Sequence, residues 1–305
     1  IMKVGVNILN FGPGASPSNL LRWARISEDL GYHSVMICDH VAVTEDVSPR
    51  YPEPFFDPFT SLTWLAGQTR NIKIGTTVIV LPYRNPLLMA RLVANIDHLS
   101  GGRFIFGVGI GNAKLEFQAL GVAHEKRGAI GNEYLSAMKA LWTEDIASFN
   151  GKHVSFDQVY GPKPLQTPYP PIWVGGNSDG ALRRAVKHGD AWHPILSTHA
   201  KLTNEDMPRL TEIAEKMERP VPAFCPRIRL QIGDTSLPEG ERIVGNGTLD
   251  QVRSDLERLH SMGAEHVILD RYTGKPTDTI YHEYGWEMLA TLANKVLDLQ
   301  KESLR

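Results

Sequence analysis

The sequence predicts an α/β fold, a (β/α)8 TIM barrel made by the whole 1–305 chain, on three observations. Short Val- and Ile-rich segments alternate with longer amphipathic ones, the alternation recurs eight times, and the short segments are apolar throughout rather than at every second residue. Strands apolar on both faces belong to parallel sheets covered by helices. Eight such strands close a barrel. No internal repeat, low-complexity stretch or charge block divides the chain, so residues 1–305 read as one domain.

The expected strands are Lys3–Leu9, Ser34–Cys38, Ile74–Val80, Phe104–Gly109, Ile172–Val174, Ala191–Trp192, Arg227–Ile232 and His266–Leu269. The first helix illustrates how the intervening segments are assigned. Pro17-Ser18-Asn19 supplies turn and cap residues, Leu20, Leu21, Ala24, Ile26 and Leu30 form an apolar stripe, and Gly31 ends it. By the same signals helices are expected at Asp57–Thr69, Pro86–Leu99, Asn132–Leu141, Asp179–His188, Asn204–Met217, Thr248–Met262 and Thr279–Gln300. Two segments exceed this plan, Val41–Phe56 and a hairpin-like Ile146–Pro170. They are read as insertions after strands 2 and 4, hence as lids or pocket walls on the catalytic face.

Thirty-two basic residues against 34 acidic ones leave a net charge of −2, which gives no sign of nucleic-acid or membrane-surface binding. No apolar run is long enough to span a bilayer, and the first residues lack a signal peptide's pattern, so a cytoplasmic protein is expected. Cys38 and Cys225, with no CxxC, are expected to be core thiols. The 11 histidines lack metal-binding spacings, and no metal site is expected.

Barrel enzymes build their sites from strand C-termini and the loops that follow. The polar residues there are Asn7 and Asn10, Asp39 and His40, Thr76 and Thr77, Asn112, Gly175-Gly176-Asn177-Ser178, Trp192 and His193, and Asp270 and Arg271. Gly175 to Ser178 join a strand to a helix start, where glycines admit an anion and free amides face it. A tight turn capped by Ser178 is the competing reading. Gly107-Val108-Gly109-Ile110-Gly111 does not complete a dinucleotide fingerprint, so these glycines either let a flat ring lie against the strand or serve barrel packing. Neighbours in a strand point to opposite faces, so Asp39 and His40 are not expected to pair with each other. His40 is the acid/base candidate near neutral pH. Arg183, Arg184 and Lys187 read as an exposed helical charge face or as the receptor of an acidic ligand tail, and Tyr51, Phe55, Phe56 and Tyr272 as aromatic pocket or packing residues.

Taken together, several stretches resemble the luciferase-like monooxygenase superfamily over essentially the whole chain. They are Val4-Gly5-Val6-Asn7, Ile37-Cys38-Asp39-His40, Asp57-Pro58-Phe59, Ile74-Gly75-Thr76-Thr77-Val78, Asn85-Pro86, Leu99-Ser100-Gly101-Gly102-Arg103-Phe104, Pro171-Ile172-Trp173-Val174-Gly175-Gly176 and His188-Gly189-Asp190-Ala191-Trp192. The resemblance implies a homodimeric barrel with a flavin or deazaflavin ring at the strand C-termini and a phosphate near Gly175, Gly176 and Asn177. Asp39, His40, Thr77, Val78, Gly109 and Asn112 would surround the ring, and a non-prolyl cis peptide would fall at Thr77-Val78. Asn112 stands where family sugar-phosphate dehydrogenases place a catalytic Glu; an amide is no general acid, which shifts that role to His40, with Glu116 a distant second.

The catalytic candidates are therefore His40 and Asn112. The cofactor candidates are Asn7, Asp39, Thr77, Val78, Gly109, Gly175, Gly176, Asn177, Ser178 and Trp192. The resemblance implies hydride transfer between coenzyme F420 and a small organic substrate. The alternatives are an FMN-dependent monooxygenase fed by a separate reductase, and a non-catalytic flavin-binding barrel.

Overall fold

All eight predicted units are present in the computed structural model, which describes residues 2–240 and 242–305. The barrel strands are β1 (Lys3–Asn7), β2 (Ser34–Ile37), β3 (Lys73–Thr76, continued by Ile79–Val80), β4 (Phe104–Gly109), β5 (Ile172–Gly175), β6 (Ala191–His193), β7 (Ala223–Phe224 and Arg227–Arg229) and β8 (His266–Asp270). Between and after them lie the principal helices α1 (Pro17–Leu30), α2 (Pro58–Gln68), α3 (Pro86–Leu99), α4 (Arg127–Thr143), α5 (Asp179–His188), α6 (Met207–Lys216), α7 (Leu249–Ser261) and α8 (His282–Lys295). Every barrel pairing is parallel, and β1 lies between β2 and β8.

The barrel closes at β7, which differs from the expected run Arg227–Ile232. Pro226 has no amide to donate, so the strand is written in two pieces, yet its neighbours bond across the break. Cys225 and Arg227 donate to Trp192 and Pro194 of the β6 side, while Glu265 and Ile268 donate to Phe224 and Pro226 from the β8 side. Gln231–Ile232 leaves the barrel and pairs with Asn246–Gly247. In β3, Gly75 faces Ile105 and Ile79 faces Val108, so β3 holds one residue more than its partner. This bulge sits at Thr77-Val78, whose peptide is cis.

Helix starts follow the expected chemistry. Ser16, Asp57, Asn85, Ser178 and Thr248 each accept an amide of the turn they open, and Gly31 closes α1 in the left-handed conformation. The last helix is shorter than the expected Thr279–Gln300, because Leu297–Asp298 turns back to pair with Ser303–Leu304. No helix among the described residues is long and apolar enough to cross a membrane.

Two layers fill the lumen. Met36, Ile105, Trp173, Ala191, Cys225 and Ile268 form an apolar plug. Above it, toward the strand C-termini, lie Asn7, Thr77, His193, Arg227 and Asp270, all buried. The second predicted insertion is placed differently from expectation. Residues 146–170 follow α4 rather than β4, and their hairpin, Ala147–Asn150 with Ser155–Val159, contributes nothing to the cavity wall. The segment that does follow β4 is Ile110–Lys126, with a short helix at Lys114–Ala119 carrying Glu116.

Candidate active site

A cavity of about 510 Å³ opens at the strand C-termini, within the range of small-molecule sites. Its wall brings together Asp39, His40, Thr77, Val78, Gly109, Asn112, Gly175, Gly176, Asn177 and Ser178 from strand ends spread along the sequence. Asn7 and Trp192 lie outside the wall. Asn7 donates to Asp270 at 2.9 Å in the layer below, and Trp192 donates to the Gly176 carbonyl at 2.9 Å, bracing the glycine turn from behind.

His40 is held by Glu116. Its Nδ1 lies 2.7 Å from the Glu116 carboxylate, so Nδ1–H donates and Nε2 is the ring nitrogen left free at the cavity. Glu116 is fully buried and also accepts the Val41 amide at 2.7 Å, the Ala42 amide at 3.0 Å and the Tyr83 hydroxyl at 2.9 Å. Burial alone would push its carboxyl up, but the bonds from His40, Val41 and Ala42 outweigh it and hold the group below its ordinary value. Glu116 is thus a positioning residue for His40, a role that sequence distance concealed: 76 residues separate them.

Asp39 turns away from His40, as expected for neighbours at a strand end. It takes a two-pronged bond from Arg84 at 2.7 and 2.8 Å and the Val80 amide at 2.9 Å, anchoring the strand just past the bulge. Arg84 in turn reaches Asp57 at 2.8 Å.

At the cavity floor, which Arg227 and Thr77 both line, Arg227 donates to Asp270 Oδ2 (2.7 Å) and to the Thr77 carbonyl (2.8 Å). The Thr77 hydroxyl lies 2.8 Å from His193 Nε2, and His193 Nδ1 lies 2.5 Å from the Cys225 carbonyl. A carbonyl only accepts, so Nδ1 carries the proton and Nε2 accepts from Thr77. Complete burial pushes the His193 imidazole down to about 4, so it is neutral at pH 7. This network clamps the residue before Val78 from two sides.

Val78 presents its side chain between two glycines. A Cβ on Gly109 would come within 2.8 Å of Val78 Cγ2, and one on Gly175 within 3.2 Å of Cγ1, so both positions need glycine for the wall to be flat there. At the far end Gly176 has φ +103°, Ser178 caps α5, and Asn177 donates to Asp206 at 2.9 Å. Arg127, which the sequence reading passed over, lines this end; among the described residues its guanidinium bonds only to carbonyls, Gly111 at 3.2 Å and His124 at 3.0 Å.

Of three other expectations, the first changes. Arg184 is buried rather than exposed and donates to Asn132 at 2.7 Å, and Arg183 pairs with Asp179 at 3.6 Å, which leaves exposed Lys187 as the cation of this face without an ion pair among the described residues. Of the four aromatic candidates only Tyr51 lines the cavity, its ring 4.9 Å from His40; Phe55 and Tyr272 pack behind it around Phe11. Cys38 reaches the cavity edge as a buried thiol pushed up to about 12 by burial, and Cys225 is buried in the lumen.

Residues 2–238 match the family model described as luciferase-like monooxygenase, and the chain belongs to that family. Over 133 residues it is 36% identical to the FMNH2-dependent dimethylsulfone monooxygenase of Pseudomonas putida, a match covering 42% of this chain and 36% of that one. Solved structures share the barrel. The oxygenating constituent of 3,6-diketocamphane monooxygenase of Pseudomonas putida, in complex with FMN, superimposes with a TM-score of 0.76 at 16% identity over 96% of this chain and 97% of that one. An F420-dependent secondary alcohol dehydrogenase in complex with an F420-acetone adduct gives 0.73 at 18% identity, over 92% and 96%. The protein is thus a luciferase-like oxidoreductase.

Proposed function

We propose that the protein transfers a hydride between the deazaflavin coenzyme F420 and a small alcohol or carbonyl compound, with His40 moving the accompanying proton. The observation that carries this reading is the His40–Glu116 pair at the cavity. Oxidising an alcohol by hydride loss also releases the hydroxyl proton, and the reverse reaction must supply one; a protein-held acid/base at the site meets that need. Nδ1–H is committed to Glu116, so Nε2 takes or gives the proton at the substrate oxygen.

The residues fit the cofactor class. Val78, Gly109 and Gly175 offer a flat apolar wall for a tricyclic ring, while Gly176, Asn177 and Ser178 at the α5 start, together with Arg127, offer amides and a cation for an anionic tail. The ring supplies the hydride chemistry when bound; the chain supplies orientation and proton transfer. Asp39 and the Arg227–Thr77 clamp fix the bulge on which the ring would rest. Asn112, on the cavity wall, would hydrogen-bond a polar edge of ring or substrate. Asn7 and Trp192 act from behind the wall.

A second reading, an FMN-dependent monooxygenase supplied by a separate reductase, is favoured by the 36% identical segment shared with the dimethylsulfone enzyme. We further propose a homodimer, as the resemblance implies, and a cytoplasmic setting. Titrating the purified protein with oxidised F420 and, separately, with FMN, following quenching of each cofactor's fluorescence, decides between the two readings. Micromolar F420 binding with weak FMN binding is expected; the reverse order overturns the hydride-transfer proposal.

A further inference from the structure

Three tyrosines stand on the His40 side of the cavity, and the hydroxyls of two are committed within the protein. Tyr83 donates to Glu116 at 2.9 Å, and Tyr272 donates to the Arg50 carbonyl. The third, Tyr51, bonds through its hydroxyl to no described residue. Nor is that hydroxyl sealed in like the orphaned ones of Ser27 and Ser197, because Tyr51 lines the cavity. A largely buried phenol ordinarily finds a hydrogen-bond partner. Here the open side is the ligand space.

The ring that carries this hydroxyl is held in place. Its centre lies 5.0 Å from that of Phe11 and 5.8 Å from that of Tyr272, and the Tyr51 amide donates to the Val47 carbonyl at 2.9 Å. The His40 ring packs against it at 4.9 Å, tilted by 36°. Burial holds the hydroxyl above its ordinary value, followed by Cys38, while Arg227 acts against them, so it is a protonated donor on the lumen side.

Topology sets Tyr51 opposite the glycine wall. Phe11 follows β1, Tyr272 follows β8 and Tyr51 itself follows β2, whereas Gly109 and Gly175 end β4 and β5 across the eight-stranded ring. A ring against Val78, Gly109 and Gly175 would leave the substrate between itself and the Tyr51–His40 side. There the two groups complement each other. With Nδ1–H committed to Glu116, Nε2 of a neutral imidazole only accepts, so it can hold an alcohol but offers nothing to a carbonyl. A phenol supplies that donor in both states of the ring.

On the reading that this cavity takes an alcohol or carbonyl compound, we propose that Tyr51 is a second catalytic residue, its hydroxyl donating to the substrate oxygen that exchanges its proton with His40 Nε2. Tyr51 keeps its own proton throughout; the proton that balances hydride transfer is the one at His40.

4-Dimethylaminobenzaldehyde is a suitable probe, a flat carbonyl compound whose absorption band moves to the red when its oxygen accepts a hydrogen bond. It is titrated into the full chain, first alone and then with oxidised F420; neither condition supplies a hydride, so the aldehyde stays intact. The wild type is expected to bind it saturably with a red shift. Tyr51→Phe keeps the ring and its packing and removes the hydroxyl alone. It should lose most of the red shift and bind the probe roughly tenfold more weakly, the loss of one hydrogen bond, with F420 affinity and melting temperature unchanged. A red shift that persists in Tyr51→Phe, or no saturable probe binding, would overturn the proposal. Weakened F420 binding in Tyr51→Phe would also overturn it, by placing the hydroxyl on the cofactor. A Tyr51-dependent shift in a protein that binds no F420 would support the role of the hydroxyl while overturning the choice of cofactor.

Discussion

Glu116→Gln is the most informative single substitution, because it changes one charge and almost no shape. The wild-type carboxylate accepts four bonds, from His40, Val41, Ala42 and Tyr83. A glutamine can still accept the two amides through its carbonyl oxygen, but its NH2 group then faces His40 Nδ1 and the Tyr83 hydroxyl. Nδ1 must become an acceptor, which moves the ring proton to Nε2 and leaves the cavity-facing nitrogen unable to take a proton in the neutral form. The stability cost should be modest, about 1–3 kcal/mol for weakening charge-assisted bonds at a buried group. Turnover should fall by roughly 10²–10⁴, the usual contribution of a positioned acid/base. The assay pairs kcat, on whichever alcohol or carbonyl the wild type accepts, with the cofactor Kd from fluorescence quenching. Lost kcat with Kd within about twofold follows from the account. An unchanged kcat, or a loss confined to cofactor Kd, would refute the positioning role.

Gly109→Ala places a Cβ 2.8 Å from Val78 Cγ2, so Val78 must yield into the cavity; F420 affinity should drop at least about tenfold with little change in melting temperature. Gly107→Ala is the contrast, its Cβ falling 1.8 Å from the Thr76 carbonyl, a backbone clash that should abolish soluble expression. Asp39→Asn removes a buried charge from under Arg84, and chemical denaturation should show a loss of about 3 kcal/mol. His193 titrates near 4 when folded and at 6.5 ordinarily, so the unfolded chain binds the extra proton between these values. Its contribution is complete above pH 6.5 and lost as the pH falls through 4, up to roughly 3 kcal/mol; His193→Gln should flatten stability over that window in urea titrations.

What was legible in the sequence, and what was not, divides along physical lines. β4, α3 and α5 fall at their expected bounds because periodicity and caps are local signals, carried by Asn85, Ser178 and the unbroken run Phe104–Gly109. β7 was misjudged at both ends, since Pro226 splits it and its pairing with β6 and β8 is a long-range fact. The polar strand ends could be collected from the barrel pattern alone, which is why most of the predicted residues reach one cavity. Their partners could not. Glu116 sits 76 residues from His40, Arg227 reaches Thr77 across 150, and nothing local marks Glu116 as an orienting carboxylate rather than a helix-surface charge. Arg127 and Arg184 show the same limit, one expected nowhere and found at the cavity, the other expected on the surface and found buried.

The most direct test of the central claim is a crystal structure of the protein soaked with oxidised F420. The account predicts the ring against Val78, Gly109 and Gly175 with His40 Nε2 facing its reactive side, and the phosphate at Gly176, Asn177 and Ser178. A ring bound elsewhere, or bound with His40 turned away and still tied only to Glu116, would contradict it.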